Sequence, residues 1–348
     1  MQILPVVMDK NYSRIAVIDN YKTLIWTTRY YTHGDFEISI GLSAEMVRIL
    51  AIGNYVVRDD DDNVGIIEKV DVKITSTNEQ LLIVSGRFLT QILARRIIAD
   101  QTQVSSTISQ AIDTLITDAI INPAVTARKI DNFVLDTYSF SDTIEAQYTG
   151  KNLFEVISDL CLQYGLGIKI YFDSSKNFVF KLYKGIDRSV DQDINPHLIF
   201  SNDYDNLINA EYQRDSENLI TAVLAAGEGE GDERKTIWAY GDTEPEGLDR
   251  YEYYDDSRNT SSNDGEISEQ DYYKQLQEDG KSDLTTYETT FAGEVNFNTV
   301  KYKVDVDIGD ICTIENTDLG INFNARIIEV IESIDATGKY TIIPTFGT

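Results

Sequence analysis

Residues 152–183 have the sequence NLFEVISDLCLQYGLGIKIYFDSSKNFVFKLY, and this stretch decides the fold class. Its first half places apolar side chains at helical spacing over Leu153–Tyr164, between a capping residue, Asn152, and a stop glycine, Gly165. Its second half has two short apolar runs around the polar turn Asp173–Asn177, which is typical of a β-hairpin. The stretch therefore predicts a helix followed by a hairpin. Six apolar residues are expected in the core of this unit: Leu153, Val156, Ile157, Leu160, Phe178 and Phe180.

The residues before this unit fall into a β-rich part and a helical part. Over residues 1–90, short β-branched or alternating segments separated by polar turns predict a barrel or a sandwich, with one short helix at Ser43–Leu50. The period then changes to that of a helix over Arg87–Ile98 and Ser105–Ile121. Residues 91–200 are therefore predicted to form an α/β domain that contains the helix and the hairpin.

After residue 200 the pattern returns to strands. The predicted strands are 218–225, 300–306, 311–315, 325–334 and 340–343. A polar, acidic stretch around 242–283 interrupts them, and its scarcity of aliphatic residues predicts an exposed excursion with one or two helical turns after Ser268. Residues 201–348 are thus predicted to form a second β domain that carries this excursion, and the fold class of the whole chain is predicted to be α+β and β-rich.

The charge of the chain is strongly negative. There are 58 acidic and 30 basic residues among 348, a net charge of −28, and residues 201–300 alone hold 25 acidic and 7 basic ones. Such a surface repels nucleic-acid phosphates, so no stable nucleic-acid binding is expected. Solubility explains the charge most simply, and a surface that DNA passes without being held is the alternative. No apolar run approaches the ~18 residues that cross a bilayer, and the first residues lack a secretory signal, so no membrane insertion is expected.

The residue types that commonly carry catalysis are scarce. His33 and His197 are the only histidines, and each is expected in a solvated turn or loop without a nucleophile or a zinc-type partner. Cys161 and Cys312 each lie among apolar residues, which predicts packing roles rather than reactive thiols.

Three motifs resemble ligand-binding loops only in part. Gly227–Gly231 lacks the Lys-Ser/Thr pair of a phosphate-binding loop, and Asp305–Asp310 fails the EF-hand pattern. Asp59–Asp62 is interpreted first as a hairpin turn and second as a weak cation site. No pair stands out among the many carboxylates. The sequence therefore predicts no catalytic residue, no cofactor and no metal site, and its 21 tyrosines favour assembly.

The chain resembles the siphovirus tail proteins of the ReqiPepy type, found in phages and prophages of Gram-positive bacteria. Short motifs in a fixed order over most of the chain carry the resemblance: Arg29, Gly34–Glu37, Gly86–Arg87, Tyr148–Ile157, Tyr183–Ser189, Asn195–Pro196, Ile199–Ser201, Asp205–Leu207, Ala226–Arg234, Leu248–Arg250, Asp256–Arg258, Asp307–Asp310 and Pro344–Gly347.

The resemblance implies a structural tail component, similar to baseplate or tail-tip hub proteins. Such hubs are homotrimers with two tube-like β-barrel domains per subunit and α/β insertions. They adapt a six-fold tail tube to a three-fold tip, so tube and tip proteins are the expected partners. The protein is then expected in the virion tail after synthesis in the host cytoplasm. It is not expected to be an enzyme, because the chain stops directly after its last strand at Thr348, without room for a hydrolase domain. Two alternatives remain open: a carbohydrate-active tail enzyme with paired carboxylates, and a host receptor-binding module.

Overall fold

The computed structural model describes residues 3–74, 79–262, 265–296, 299–318 and 320–347. Its strands, in chain order, are β1 (Val6–Met8), β2 (Arg14–Val17), β3 (Tyr21–Arg29), β4 (Asp35–Gly41), β5 (Tyr55–Arg58), β6 (Asp61–Ile66), β7 (Lys69–Ile74), β8 (Gln80–Arg87), β9 (Thr102–Thr107), β10 (Phe133–Leu135), β11 (Thr143–Tyr148), β12 (Gly167–Phe172), β13 (Phe178–Tyr183), β14 (Ile199–Ser201), β15 (Leu207–Asp215), β16 (Ala222–Ala226), β17 (Thr236–Tyr240), β18 (Glu252–Asp255), β19 (Glu288–Val295), β20 (Ile311–Asn316), β21 (Ile321–Ile334) and β22 (Tyr340–Gly347). Its α-helices are α1 (Ala44–Ile49), α2 (Gln91–Ala94), α3 (Ile108–Ile116), α4 (Leu153–Tyr164) and α5 (Glu269–Ser282). Strands hold 42% of the residues and helices 19%, so the predicted β-rich character is confirmed.

One ten-stranded sheet joins the first and last parts of the chain. Eight of its strands lie in the order β15-β19-β22-β21-β3-β4-β8-β7, and β20 and β14 extend it beside β21. The long strand β21 makes this possible, because its first half pairs with β20 and its second half pairs with β3. Four strands of residues 1–90 (β3, β4, β7 and β8) thus share one open sheet with strands of residues 201–348, while β2-β1-β5-β6 form a separate four-stranded sheet; no closed barrel is detected among the described strands.

Ion pairs lie where β3 pairs with β21. Arg29 lies opposite Glu329 in the register, and its Nε donates to Glu329 Oε2 over 2.6 Å. Arg58 at the end of β5 has a fully buried side chain, and it donates to both carboxylate oxygens of Glu332 over 3.2 and 3.0 Å. Trp26 lies opposite Glu332, and the Arg58 guanidinium lies 5.3 Å from the centre of its ring. The join between the two parts of the chain is therefore specified by buried charge as well as by backbone pairing.

The helix and hairpin of the middle region form as the sequence predicts. Asn152 Oδ1 accepts hydrogen bonds from two backbone N–H groups at the start of α4, and Gly165 ends the helix with φ at +64°. Strands β12 and β13 then pair as an antiparallel hairpin beside β10. All six residues expected in the core are buried.

Two predicted helices of this region are shorter than expected. Only α2, with four residues, forms within 87–98. Residues 102–107 form β9, which pairs with β11, so that α3 begins only at Ile108. The pairing partner lies about forty residues along the chain, beyond the reach of a local pattern.

Residues 216–287, called the insert here, connect the neighbouring strands β15 and β19. The insert contains the sheet β17-β16-β18 and helix α5, which begins at Ser268 as predicted but runs for fourteen residues. Tyr272 and Leu276 on α5 are fully buried and pack with Ala225 of β16. The expectation of one or two exposed turns is wrong because the sheet provides apolar contact that the local sequence lacks. Asn263 and Asp264 of the predicted excursion lie outside the described residues.

The predicted strand at Val300–Val306 is also wrong, because these residues form a turn. Lys303 has a positive φ of 63°, and the carboxylate of Asp305 accepts a hydrogen bond from the backbone N–H of Lys301 over 2.9 Å. A side chain that satisfies the backbone locally competes with strand pairing. The apolar residues that suggested a strand include Val300 and Val306, and both are buried because the two ends of the turn pack against the core.

Leu160→Ala tests the helix-and-hairpin core. Leu160 is 4% exposed, so its truncation leaves a cavity and should lower the free energy of unfolding by roughly 2–5 kcal/mol, measured by chemical denaturation. Leu162→Ala is the matched control, because Leu162 is 61% exposed on the same helix and its truncation should change stability by no more than about 0.5 kcal/mol. Equal effects of the two substitutions would contradict the assignment of the buried face.

Candidate assembly surfaces

His33 does not occupy the solvated turn that the sequence predicts. Its ring stacks on Phe154 of α4 with 3.5 Å between the ring centres, and its Nδ1 lies 3.3 Å from Thr90 Oγ1. Burial, with the positive charge of Arg87, lowers the pKa of His33 to about 4. The neutral imidazole therefore packs between α4 and the sheet region, which is a structural role. Sequence reasoning missed this contact because Phe154 lies far along the chain.

The other residues weighed for chemistry lie apart from one another. His197 is exposed, and its Nε2 lies 2.5 Å from the carbonyl oxygen of Gln192. Cys161 and Cys312 are both fully buried, and burial raises the pKa of each thiol. Gly227–Gly231 forms a turn after β16, as expected.

Asp59 and Asp60 of the acidic run form the predicted turn between β5 and β6, Asp61 and Asp62 begin β6, and ion pairs engage the carboxylates of the run. Asp61 pairs with Lys303 Nζ over 2.6 Å, and Asp62 pairs with Lys169 Nζ over 3.2 Å. The run lines a cavity of about 670 Å³ together with tyrosines of the hairpin. Among the described residues, no group of three or more His, Cys, Asp or Glu side chains is arranged to hold a metal ion. None of the described helices is long and apolar enough to cross a membrane.

Several motifs that carry the family resemblance contact one another as structural clamps. The buried carboxylate of Asp310 accepts from Arg188 Nε over 2.8 Å and from the backbone N–H of Ile186 over 2.7 Å. Gly185 must be glycine for this contact, since a Cβ there would lie 1.9 Å from the carbonyl oxygen of Gly309. These motifs therefore hold distant segments together.

Other motif residues also make hydrogen bonds that fix the backbone. Asn206 Nδ2 donates to the carbonyl oxygen of Ile199 over 2.7 Å, and its Oδ1 accepts from the backbone N–H of Ser201 over 2.9 Å. In the insert, Arg234 pairs with Asp256.

Two strands at the ends of the eight-strand order present apolar side chains at their edges. In β7, Val72 and Ile74 are 58% and 63% exposed, and in β15, Ile208 and Tyr212 are 42% and 38% exposed. Each strand pairs with one neighbour among the described strands. An edge strand with exposed apolar residues is a template for pairing with another chain.

The sheet of the insert has a second apolar surface, on the face opposite α5. Because paired residues of neighbouring strands share a face, the register places Leu224 beside both Trp238 and Tyr254, and Ala222 beside Tyr240. We call Leu224, Trp238, Tyr240 and Tyr254 the aromatic face. The alternation Trp238-Ala239-Tyr240 is the sequence signal that could have identified it.

The contact between the insert and the middle region is polar and imperfectly satisfied. Gln275 on α5 is 1% exposed, and neither atom of its amide has a hydrogen-bond partner. Gln147 Oε1 and Thr149 Oγ1, at the end of β11 and just beyond it, are also buried without one. Unsatisfied buried polar atoms cost free energy and weaken this contact, which the ion pair of Lys274 with Glu145 and the hydrogen bond from Gln147 Nε2 to the Asn259 carbonyl support.

A buried carboxyl group in the same contact between the insert and the middle region also costs free energy. Asp279 on α5 is 8% exposed and accepts a hydrogen bond from the hydroxyl of Thr260. Burial raises the pKa of Asp279 to about 6, opposed by Thr260 and Lys151 and reinforced by the negative charges of Asp255 and Glu278.

Comparison with known proteins places this fold among tail proteins. A family model described as siphovirus ReqiPepy6 Gp37-like protein matches residues 4–348. A comparison with curated protein sequences finds no match.

Solved structures of three tail proteins share the fold over nearly their whole length. A tail protein from Neisseria meningitidis MC58 has 14% identity and a TM-score of 0.58, with 100% of this chain and 97% of that chain covered. A 43 kDa tail protein of prophage MuSo2 from Shewanella oneidensis has 14% identity and a TM-score of 0.56, with coverage of 99% and 98%. The prophage tail protein gp18 from Listeria monocytogenes EGD-e has 13% identity and a TM-score of 0.53, with coverage of 99% and 94%.

The raised pKa of Asp279 predicts a pH-dependent stability. Its ordinary pKa of 3.8 rises to about 6 on folding, so the folded protein binds the proton more tightly than the unfolded chain does. As pH rises from about 4 to 6, the carboxyl group loses its proton and its contribution to the free energy of unfolding falls. Above about pH 6 the folded protein bears the whole cost of burying the ionised carboxylate. Asp279→Asn should stabilise the protein by up to about 3 kcal/mol at pH 7.5 relative to its effect at pH 4, measured by urea denaturation at both pH values.

Asp242→Asn is the control for this experiment, because Asp242 is an exposed carboxylate of the same insert. Its effect should be the same at both pH values within about 0.5 kcal/mol. An Asp279→Asn effect that does not depend on pH would show that the buried carboxyl group is not protonated preferentially in the folded state.

Proposed function

The chain belongs to the siphovirus ReqiPepy6 Gp37-like family of tail proteins, and from this we propose that it is a hub or adaptor that acts by assembly at a tail tip or baseplate. Its partners are tail-tube and tail-tip proteins. The protein is made in the cytoplasm of the bacterial host and functions in the virion tail. The observation that supports this role most directly is the arrangement of the eight-strand order in the large sheet.

The eight-strand order divides into two four-stranded units. One unit, β15-β19-β22-β21, comes from the last part of the chain, and the other, β3-β4-β8-β7, comes from the first part. Three subunits would supply six such units, which matches the six-fold to three-fold adaptation that the family resemblance implies. Each unit would then be a tube-like β domain that completes its barrel in the assembly.

Ring closure then requires β7 of one subunit to meet β15 of the next. The contact is heterologous, since two different surfaces join, and three copies close it into a homotrimer. The exposed Val72 and Ile74 on β7, with Ile208 and Tyr212 on β15, would be buried in this contact. Burial of apolar area and new backbone hydrogen bonds would both favour closure.

The charge of the chain suits a ring that nucleic acid passes. A net charge of −28 gives the subunit an overall repulsion towards phosphates, which disfavours retention of DNA that moves through the ring. The carboxylates of Asp61, Asp310 and Glu332 are committed to buried ion pairs, which favours a structural role over catalysis.

Cross-linking tests the ring. A Val72→Cys, Tyr212→Cys protein, treated with a short bis-maleimide at high protein concentration or with tube protein, should give covalent trimers in denaturing gels. The native cysteines should not react, because both are fully buried. The control replaces Val72→Cys with Val17→Cys, since Val17 is 56% exposed on β2, an edge strand of another sheet. Trimers from the control alone, or a monomer under all these conditions, would contradict the ring.

A second experiment tests the absence of catalysis. The protein, incubated with purified host peptidoglycan and teichoic acid, should release no soluble sugar or peptide. Turnover that a single Asp→Asn or Glu→Gln substitution abolishes would assign the protein as a carbohydrate-active enzyme. Saturable binding of the isolated protein to host cells would favour the receptor-binding alternative.

A further inference from the structure

The aromatic face of the insert has the composition of a protein-binding centre. Tryptophan, tyrosine and arginine are the residue types most enriched where single side chains dominate binding energy. Tyr254 is 51% exposed on the edge strand β18, and Trp238 and Tyr240 are half-buried on β17, on the other side of the central strand β16. Two arginines, Arg234 and Arg250, lie over the rings.

Both arginines are held in place before any partner binds. The guanidinium of Arg250 lies 4.5 Å from the centre of the Trp238 ring and donates to Glu252 over 2.6 Å and to Glu244 over 3.0 Å. The guanidinium of Arg234 donates to the hydroxyl of Tyr254 over 2.7 Å and pairs with Asp256. Side chains that are already ordered lose little conformational entropy when a partner packs on them.

The edge strand β18 borders the aromatic face and has a free side. In the order β17-β16-β18 it lies at the end, so its outer backbone groups have no strand partner among the described residues. Residues 242–258, which include β18, hold seven carboxylates and two arginines. Like charges disfavour pairing of this edge with a second copy of the same acidic chain, whereas they attract a basic strand.

We propose that β18 and the aromatic face bind an extended, lysine- or arginine-bearing segment of another tail protein, which adds to the sheet as a fourth strand. Backbone hydrogen bonds to β18 supply affinity in this mode, and side chains at alternate positions supply specificity. One side of the added strand packs on Tyr254, and its basic side chains meet the carboxylates around β18. The inference rests on the proposed assembly function and names the chemistry of one partner.

Photo-cross-linking in assembled tails tests the proposal. The photoreactive residue p-benzoylphenylalanine replaces Tyr254, and in a matched control it replaces Tyr287. Tyr287 is 44% exposed and also lies beneath an arginine, with the guanidinium of Arg214 at 4.6 Å, but it lies outside the aromatic face. After irradiation, the attached peptide is identified by mass spectrometry. We expect attachment from position 254 to a basic segment of a different tail protein.

Charge variants then separate this contact from chance proximity. Glu252→Lys should lower the cross-linking yield at position 254 about tenfold, and Glu252→Gln should lower it about threefold, because charge reversal costs more than neutralisation. The yield from position 287 should stay the same in both variants. Asp131→Lys, at an exposed site outside the insert, should leave both yields unchanged.

Several outcomes would overturn the proposal: attachment only to another copy of this chain, attachment to a segment without lysine or arginine, a yield that neither Glu252 variant lowers, or no attachment in tails that contain the protein. Absence of the protein from purified tails would instead overturn the proposed function, and this inference with it.

Discussion

The pairing of β3 with β21 is the interaction on which the rest of the structure depends. It brings residues near position 26 beside residues near position 332 and turns two four-stranded units into one sheet. The buried pair of Arg58 and Glu332 lies at this join. Removing one partner of such a pair leaves an uncompensated buried charge, a cost of roughly 3–5 kcal/mol. A change of register by one residue would turn the carboxylate to the other face of the sheet, so the charges and the backbone pairing must agree.

Polar side chains also fix the geometry at the motifs that carry the family resemblance. Asp310 with Arg188 and Arg29 with Glu329 each join segments that lie apart in the sequence, and Asn206 with Ser201 closes a local loop. A carboxylate or amide that satisfies several backbone groups holds a loop in one conformation more firmly than apolar contact alone. Polar residues in these motifs thus serve the geometry of the subunit. A ring of subunits needs that geometry to be reproducible, because small errors at each contact would prevent closure.

The insert is organised differently from the large sheet. Its own core is small, and its contact with the middle region contains an unsatisfied amide, Gln275, and a buried carboxyl group, Asp279. Its opposite face exposes tyrosine beside ordered arginines. Within the subunit the insert is therefore attached through the adjacent strands β15 and β19 and through a polar contact. A partner strand on β18 would bury surface that the subunit itself leaves uncovered.

Local signals in the sequence determined the elements whose stability is local. The cap at Asn152, the glycine at 165 and the apolar stripe of α4 sufficed to predict the helix, and the short β-branched or alternating segments sufficed to predict a β-rich chain. The tertiary structure alone decided which strands pair, because β21, β11 and β19, the partners of β3, β9 and β15, lie from about 40 to about 300 residues away and a local pattern contains no information on partners. It also decided that α5 extends for fourteen residues, since the burial of Tyr272 and Leu276 is provided by a sheet formed elsewhere. Packing against distant residues likewise made His33 a neutral, half-buried residue stacked on Phe154, whereas its own neighbours indicated an exposed turn.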